Sequence, residues 1–162
     1  MRESMARLTP RFSANRAVCE YTEKYYLPAA TACQARMADK GKVGRQMVDW
    51  RHSVEQKWAA LHFGEVKVES KDNQHFFEVQ FFLNGLDPKA VRIELYADGV
   101  NGGDSVRQEM KSIRQINDKS GGSVYGAAVS AARPSGDYTA RAIPFCEDVA
   151  IPLEDSRILW QR

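Results

Sequence analysis

Two adjacent acidic pairs, Glu147-Asp148 and Glu154-Asp155, are the residues of this 162-residue chain best suited by type to acid–base work. Cleaving a glycosidic bond needs two carboxylates held across it at a defined separation. Adjacent residues point in different directions on most backbones, so both pairs are expected to be solvated surface. His52 beside Ser53 is the nearest approach to a hydrolytic arrangement. It falls in a helical pattern, where consecutive residues do not face one another, and no serine sits in a nucleophile elbow. The segments Gly99-Val100-Asn101-Gly102-Gly103 and Ser120-Gly121-Gly122-Ser123 invite a phosphate-cradle reading. Neither opens a helix whose N-terminal amides would hold an anion, and neither ends in Gly-Lys-Ser/Thr. Both are predicted to be turns.

Metal, redox and Schiff-base chemistry fare no better. Cys19, Cys33 and Cys146 are odd in number and form no CxxC pair, so each is expected to be a small buried apolar residue. His52, His62 and His75 never approach a compact ligand spacing. No lysine stands in an apolar or glycine-rich setting suited to a carbonyl cofactor. Tyr96, Tyr125, Tyr138 and Trp160 could line a face on which sugar rings stack, although a β domain of this size needs most such rings for its core. The sequence therefore assigns no catalytic, no cofactor-binding and no metal-ligating residue.

The elements that would position any site divide the chain in two. A hydrophobic fraction of 43% and a mean hydropathy of -0.49 describe an ordinary globular composition. No window supplies the eighteen or so continuous apolar residues of a membrane span. Met1 to Arg11 lacks the apolar stretch of a signal peptide, so a cytoplasmic protein without membrane contact is expected. Residues 1–62 carry eleven Lys/Arg and six Asp/Glu, a net +5, and residues 63–162 carry twelve and fifteen, a net -3. The cations of the first part are interleaved with Glu20, Glu23, Asp39, Asp49 and Glu55. That mixture argues against nucleic acid as a partner and for a complementary acidic surface on another domain.

Residues 1–62 read as helix. Ser13 is a suitable N-cap, with Phe12 placed to staple the entering chain. Val18, Tyr21 or Thr22, and Tyr25 share one face, widened by Tyr26 and Leu27, and Pro28 is expected to kink or end the helix. Asp39 to Gly44 is a soft hinge. Met47, Trp50, Val54, Trp58 and Leu61 form an apolar stripe, and Gly64 marks the exit. Beyond it the period changes to two. Strands are predicted at Val66–Glu69, His75–Leu83, Val91–Tyr96, Val106–Ile116, Val124–Val129 and Asp137–Ile143, with Ile151–Glu154 and Ile158–Trp160 near the surface or against the helices. The strand holding Phe76 to Leu83 should be central, because its apolar run would aggregate at an edge. The fold class is thus α+β: a helical segment over 1–62 followed by an antiparallel β-sandwich of immunoglobulin type over 63–162.

Several runs carry a family resemblance. Thr9-Pro10-Arg11-Phe12-Ser13-Ala14-Asn15-Arg16 and Glu20-Tyr21-Thr22-Glu23-Lys24-Tyr25-Tyr26-Leu27-Pro28-Ala29 resemble the late helix of the short bacterial and archaeal α-glucan (glycogen or maltodextrin) phosphorylases. Val91 to Gly99, Gly136 to Pro144 and Ile151 to Trp160 are similar to the C-terminal extension of the same family, in the same order. The resemblance implies a parent of glycosyltransferase-B architecture that uses pyridoxal phosphate to release glucose 1-phosphate from terminal α-1,4-glucosidic bonds. It implies that this chain is the non-catalytic C-terminal region, with the upstream catalytic domain as partner and glucan bound through the parent. The family's cofactor lysine lies in an upstream loop that has no counterpart here, so no catalytic residue carries over. Ala17 replaces the family's usual methionine, and Phe145-Cys146-Glu147 stands where histidines are common. The alternative reading from the residues is a carbohydrate-binding or protein-interaction β-sandwich without catalysis.

Overall fold

Ser13 starts the first long helical stretch as its residue type requires. In the computed structural model, which describes residues 2–100, 102–116 and 121–162, its Oγ accepts the Arg16 backbone N–H at 3.2 Å. The chain forms two compact units, residues 1–46 and 47–162. In the first, α1 spans Arg2–Leu8 and α2 spans Ala14–Tyr21. Phe12 does not staple α2 and is exposed. The fourth helical position opposite it is Ala17, whose single methyl offers little to hold an aromatic ring.

Pro28 does not end the helix. A π-helical turn, Thr22–Tyr26, leads directly into α3, Leu27–Lys57, with Pro28 as the second residue of α3. The Leu27 N–H bonds the Thr22 carbonyl five residues back. The hydrogen-bond ladder thus changes register just where the proline lacks a donor, which lets the chain continue helically. The expected hinge is present as a break inside α3. Asp39, Lys40 and Gly41 have φ of 50°, 56° and 74°, and Arg45 Nη1 donates to the Lys40 carbonyl at 2.6 Å. No described residue of 1–46 is buried.

The second unit begins with the closing turns of α3. Val54 is fully buried, Leu61 is buried, and Trp50 and Trp58 pack half-buried against the same core. Gly64 does not mark the helix exit. The helix ends at Lys57, a 3₁₀ turn follows at Trp58–Ala60, and Gly64 lies inside strand β1, His62–Lys71. A Cβ on Gly64 would come within 2.9 Å of both Gln80 Oε1 and the Phe82 ring, beside a register irregularity between Phe63 and Val66. The glycine is there for close strand approach.

Seven more strands follow: β2 Gln74–Phe82, β3 Val91–Ala97, β4 Val106–Glu109, β5 Lys111–Gln115, β6 Gly122–Ser130, β7 Thr139–Pro144 and β8 Leu159–Trp160. They make two antiparallel sheets of four strands, ordered β1-β2-β6-β5 and β4-β3-β7-β8. Helix followed by these sheets is an α+β arrangement. β2 is central, as its aromatic run requires, and Ile158–Trp160 contributes a paired strand at the edge of the second sheet.

The segment Val106–Ile116 is not one strand. β4 belongs to the second sheet and β5 to the first, and Met110 alone separates them. Met110 is buried, and its N–H bonds the Ile93 carbonyl at 2.8 Å. Burial of its flexible side chain pulls the backbone inward where the strand changes sheet. Phe77, Val79 and Phe81 of β2, Ile93 and Leu95 of β3, and Tyr125 of β6 belong to one buried cluster. Within it Phe81 meets Tyr125 edge-on at 6.3 Å, and Phe77 meets Tyr138 at 5.9 Å.

Candidate functional site

Strand alternation builds a polar face on the second sheet. In β3 the residues Val91, Ile93, Leu95 and Ala97 are buried, which turns Arg92, Glu94 and Tyr96 to the opposite side. In β7, Ala140 and Ala142 are buried and Arg141 and Ile143 alternate with them. The strand register sets Glu94 opposite Arg141, and Arg141 opposite Trp160 of β8. Arg141 donates to Glu94 Oε1 through Nε at 2.6 Å and also through Nη2, with side-chain exposures of 11% and 9%. Its guanidinium lies 4.3 Å from the Tyr96 ring centroid and 5.2 Å from that of Trp160. The two rings meet edge-on at 5.5 Å, and the Tyr96 hydroxyl donates to Asp98 Oδ1 at 2.9 Å. Hydrogen bonds from a nearly buried guanidinium to a nearly buried carboxylate fix both groups in place.

Two grooves open beside this knot and share Arg92, Glu109 and Phe145 as a wall. One, of about 570 Å³, is lined by four arginines, Arg92, Arg107, Arg141 and Arg157, against the carboxylates of Glu94 and Glu109. Arg92 sits 4.0 Å over the Phe145 ring and 3.4 Å from Glu109. Arg157 is held by Asp155, to which its Nη1 donates at 2.6 Å. The other groove, of about 620 Å³, runs past Trp50, Ser53, Lys89, Cys146 and Glu147. The Trp50 indole N–H is buried there without an acceptor.

The residues singled out from the sequence are scattered. His52 Nε2 lies 2.7 Å from Gln56 Nε2, and among the described residues no hydrogen bond joins it to Ser53. His62 stacks on Phe82 at 4.6 Å. His75 is buried, with Nδ1 2.7 Å from Ser70 Oγ and Nε2 3.0 Å from the Arg133 carbonyl, a structural role. Glu147 and Asp148 are exposed, as expected of solvated acids. In the second acidic pair Glu154 is exposed as expected, and Asp155 is not. Asp155 is buried, accepting from the Arg157 N–H and guanidinium, and Glu154 Oε2 accepts the Ala150 N–H at 2.8 Å. Both carboxylates organise the turn that leads into β8.

The first glycine segment is a turn in its described part, whereas in the second Gly122 and Ser123 already belong to strand β6 and only Gly121 precedes it. Gly103 N–H bonds the Val100 carbonyl at 3.0 Å, and Gly121 has φ of 63°, while Asn101 and Ser120 lie outside the described residues. The cysteines are not buried as expected: Cys19 and Cys33 are exposed and Cys146 is half-buried. The helices holding Cys19 and Cys33 bury no side chain of residues 1–46, so thiols on them have no interior to enter. Of the four aromatics offered for sugar stacking, Tyr125 and Tyr138 are core residues. Burial pushes the Tyr125 phenol pKa above its ordinary 10.0. Tyr96 and Trp160 do reach the outer face, but the Arg141 guanidinium lies over both rings, where a pyranose would need to stack.

The arginines of the outer face escaped sequence reasoning. Arg92-x-Glu94-x-Tyr96 shows an alternating polar face, yet nothing in the sequence pairs Glu94 with a residue 47 positions later. Among the described residues, no His, Cys, Asp and Glu side chains gather in a group of three suited to a metal ion, and no helix is long and apolar enough to cross a membrane.

The chain matches no protein-family model. Part of it is related at a distance to maltodextrin and glycogen phosphorylases. It is 29% identical over 96 residues to maltodextrin phosphorylase of Thermococcus litoralis, covering 59% of this chain and 11% of that protein. It is 26% identical over 110 residues to glycogen phosphorylase of Mycobacterium tuberculosis, covering 64% of this chain and 13% of that protein. The chain therefore contains a phosphorylase-related segment and spans only 11% to 13% of these curated relatives.

Proposed function

We propose that this chain is a non-catalytic C-terminal portion of an α-glucan phosphorylase of bacterial type. In this reading the full protein cleaves terminal α-1,4-glucosidic bonds with phosphate, yields glucose 1-phosphate, and works in the cytoplasm without nucleic acid or membrane. Residues 1–62 brace the upstream catalytic domain, and residues 63–162 form an immunoglobulin-like β-sandwich. The observation that carries the reading is the aromatic row of the first unit. Val18, Tyr21, Tyr25, Tyr26 and Leu27 are all exposed, with Tyr25 at 56%, and an upstream phosphorylase domain is the neighbour this reading supplies for them. An apolar row of this size on a helix normally faces another surface.

Pyridoxal phosphate, the cofactor that the resemblance implies, does not fit the residues present. No lysine among the described residues is buried, whereas a Schiff-base lysine needs desolvation to react. The cofactor belongs, in this reading, to the upstream domain, and no step of the reaction runs through this chain. Its contribution is positional: a docked brace limits small displacements of the groups that hold substrate. The alternative reading, a carbohydrate-binding module, has less support because Arg141 covers the outward aromatic pair Tyr96 and Trp160 of the second sheet.

The test has two arms. In the full-length protein, replacing Tyr21 and Tyr25 together by serine should lower the melting temperature and the rate of phosphorolysis; unchanged values of both would overturn the brace. The chain alone, given maltooligosaccharide, phosphate and pyridoxal phosphate, should release no glucose 1-phosphate. Sustained release would overturn the non-catalytic assignment.

A further inference from the structure

The arginine-lined groove of the second sheet is the feature that packing leaves least explained. Residues 63–162 carry a net -3 and hold seven arginines. Four of those seven line this one groove, and among the described residues no lysine does. Chance placement on a net-acidic surface would mix lysine with arginine and spread both. Guanidinium is the group of choice where an oxyanion is gripped by a planar fork of donors.

The four arginines are not equally committed. Arg141 is satisfied by Glu94 and Arg157 by Asp155, so both stand pre-positioned by carboxylates behind them. Arg92 has one long contact to Glu109, whose side chain is 61% exposed and free to swing away. The side chain of Arg107, exposed on β4 opposite Tyr96, has no ion pair or hydrogen bond among the described residues. Arg107 thus presents donors to the groove, and Arg92, stacked 4.0 Å over the Phe145 ring, can exchange its exposed Glu109 partner for a ligand, beside two fixed cations and an apolar wall of Ile143, Ile151, Pro152 and Ile158. The cavity of about 570 Å³ is several times larger than a bare anion needs.

We propose that this groove binds a phosphate monoester, with Arg107 and Arg92 gripping the phosphoryl oxygens and the isoleucine–proline wall receiving the organic part. Glu94 and Asp155 serve as positioning residues that hold Arg141 and Arg157 in the groove. The site is built from residues of the second unit alone and holds whether or not the brace reading is right.

The test uses the full chain, labelled with ¹⁵N and titrated at low ionic strength with inorganic phosphate, phenyl phosphate and benzoate. Arginine Nε–Hε resonances report contact directly. Saturable shifts are expected for both phosphates, with phenyl phosphate the tighter and benzoate, which has fewer oxygens and less charge, the weakest. Arg107→Ala should weaken phenyl phosphate about tenfold, the worth of one charge-assisted hydrogen-bonded contact. Arg107→Lys, which keeps the charge and places no burden on the fold, should recover only a small part of that. Arg114→Ala, in the first sheet, should leave the affinity unchanged. Non-saturating shifts, equal loss from Arg114→Ala, or full affinity in Arg107→Ala would each overturn the site. Tighter binding of benzoate than of phenyl phosphate would overturn the assignment of ligand class.

Discussion

Residues 1–46 and 47–162 solve the burial problem in opposite ways. In the second unit the apolar residues of β2, β3, β6 and β7 close on one another, and Val79, Phe81 and Leu95 have no exposed surface. In the first, the helices carry aromatic rings outward, and no described residue of 1–46 is buried. Short helices without tertiary packing are marginal in water. The first unit therefore depends on capping and backbone geometry, and on whatever covers its rings, while the second is held by its own core. The contrast teaches that equal apolar content in two stretches does not mean equal self-sufficiency.

Three substitutions in the full chain would break or sharpen this contrast. Phe81→Ala should cost the most, about 3–5 kcal/mol in urea unfolding followed by far-ultraviolet circular dichroism, because it empties the centre of the second unit. A loss below about 1 kcal/mol would mean that the sheets do not rely on that core. Next comes Glu94→Ala, which strands the guanidinium of Arg141 in a nearly closed site and should cost about 2–3 kcal/mol. Glu94→Gln keeps an acceptor and should cost less, as the same unfolding curves would show. Tyr25→Ser should have the smallest effect, within about 0.5 kcal/mol, since the ring stands in solvent. A large destabilisation there would show that the first unit owes its order to its own rings.

How much of this was legible in the sequence depends on how local the determining physics is. The Ser13 cap, the hinge at Asp39 and the strand alternation of His75–Leu83 and Val91–Tyr96 are set by near neighbours, and each is found where expected. Pro28 misled because the five-residue π turn just before it, Thr22–Tyr26, can absorb the missing donor, an adjustment that leaves no mark in composition. Gly64 misled because a glycine after a helix looks like a stop, whereas the side chains that require it, Gln80 and Phe82, come from the next strand. The outer-face arginines were invisible as a group because strand register brings Arg92, Arg107 and Arg141 together, and the turn before β8 adds Arg157. The exposure of Cys19 and Cys33 went against expectation for a related reason: residue type predicts burial only where an interior exists.

The single-residue step at Met110 has a mechanical consequence. Because β4 and β5 sit in different sheets on either side of one residue, neither can slide along its neighbour without dragging the other. Inserting or deleting one residue in this stretch would invert which side chains of a whole strand point inward. The two sheets are in that sense geared together, and an error of pairing in one is transmitted to the other instead of being tolerated.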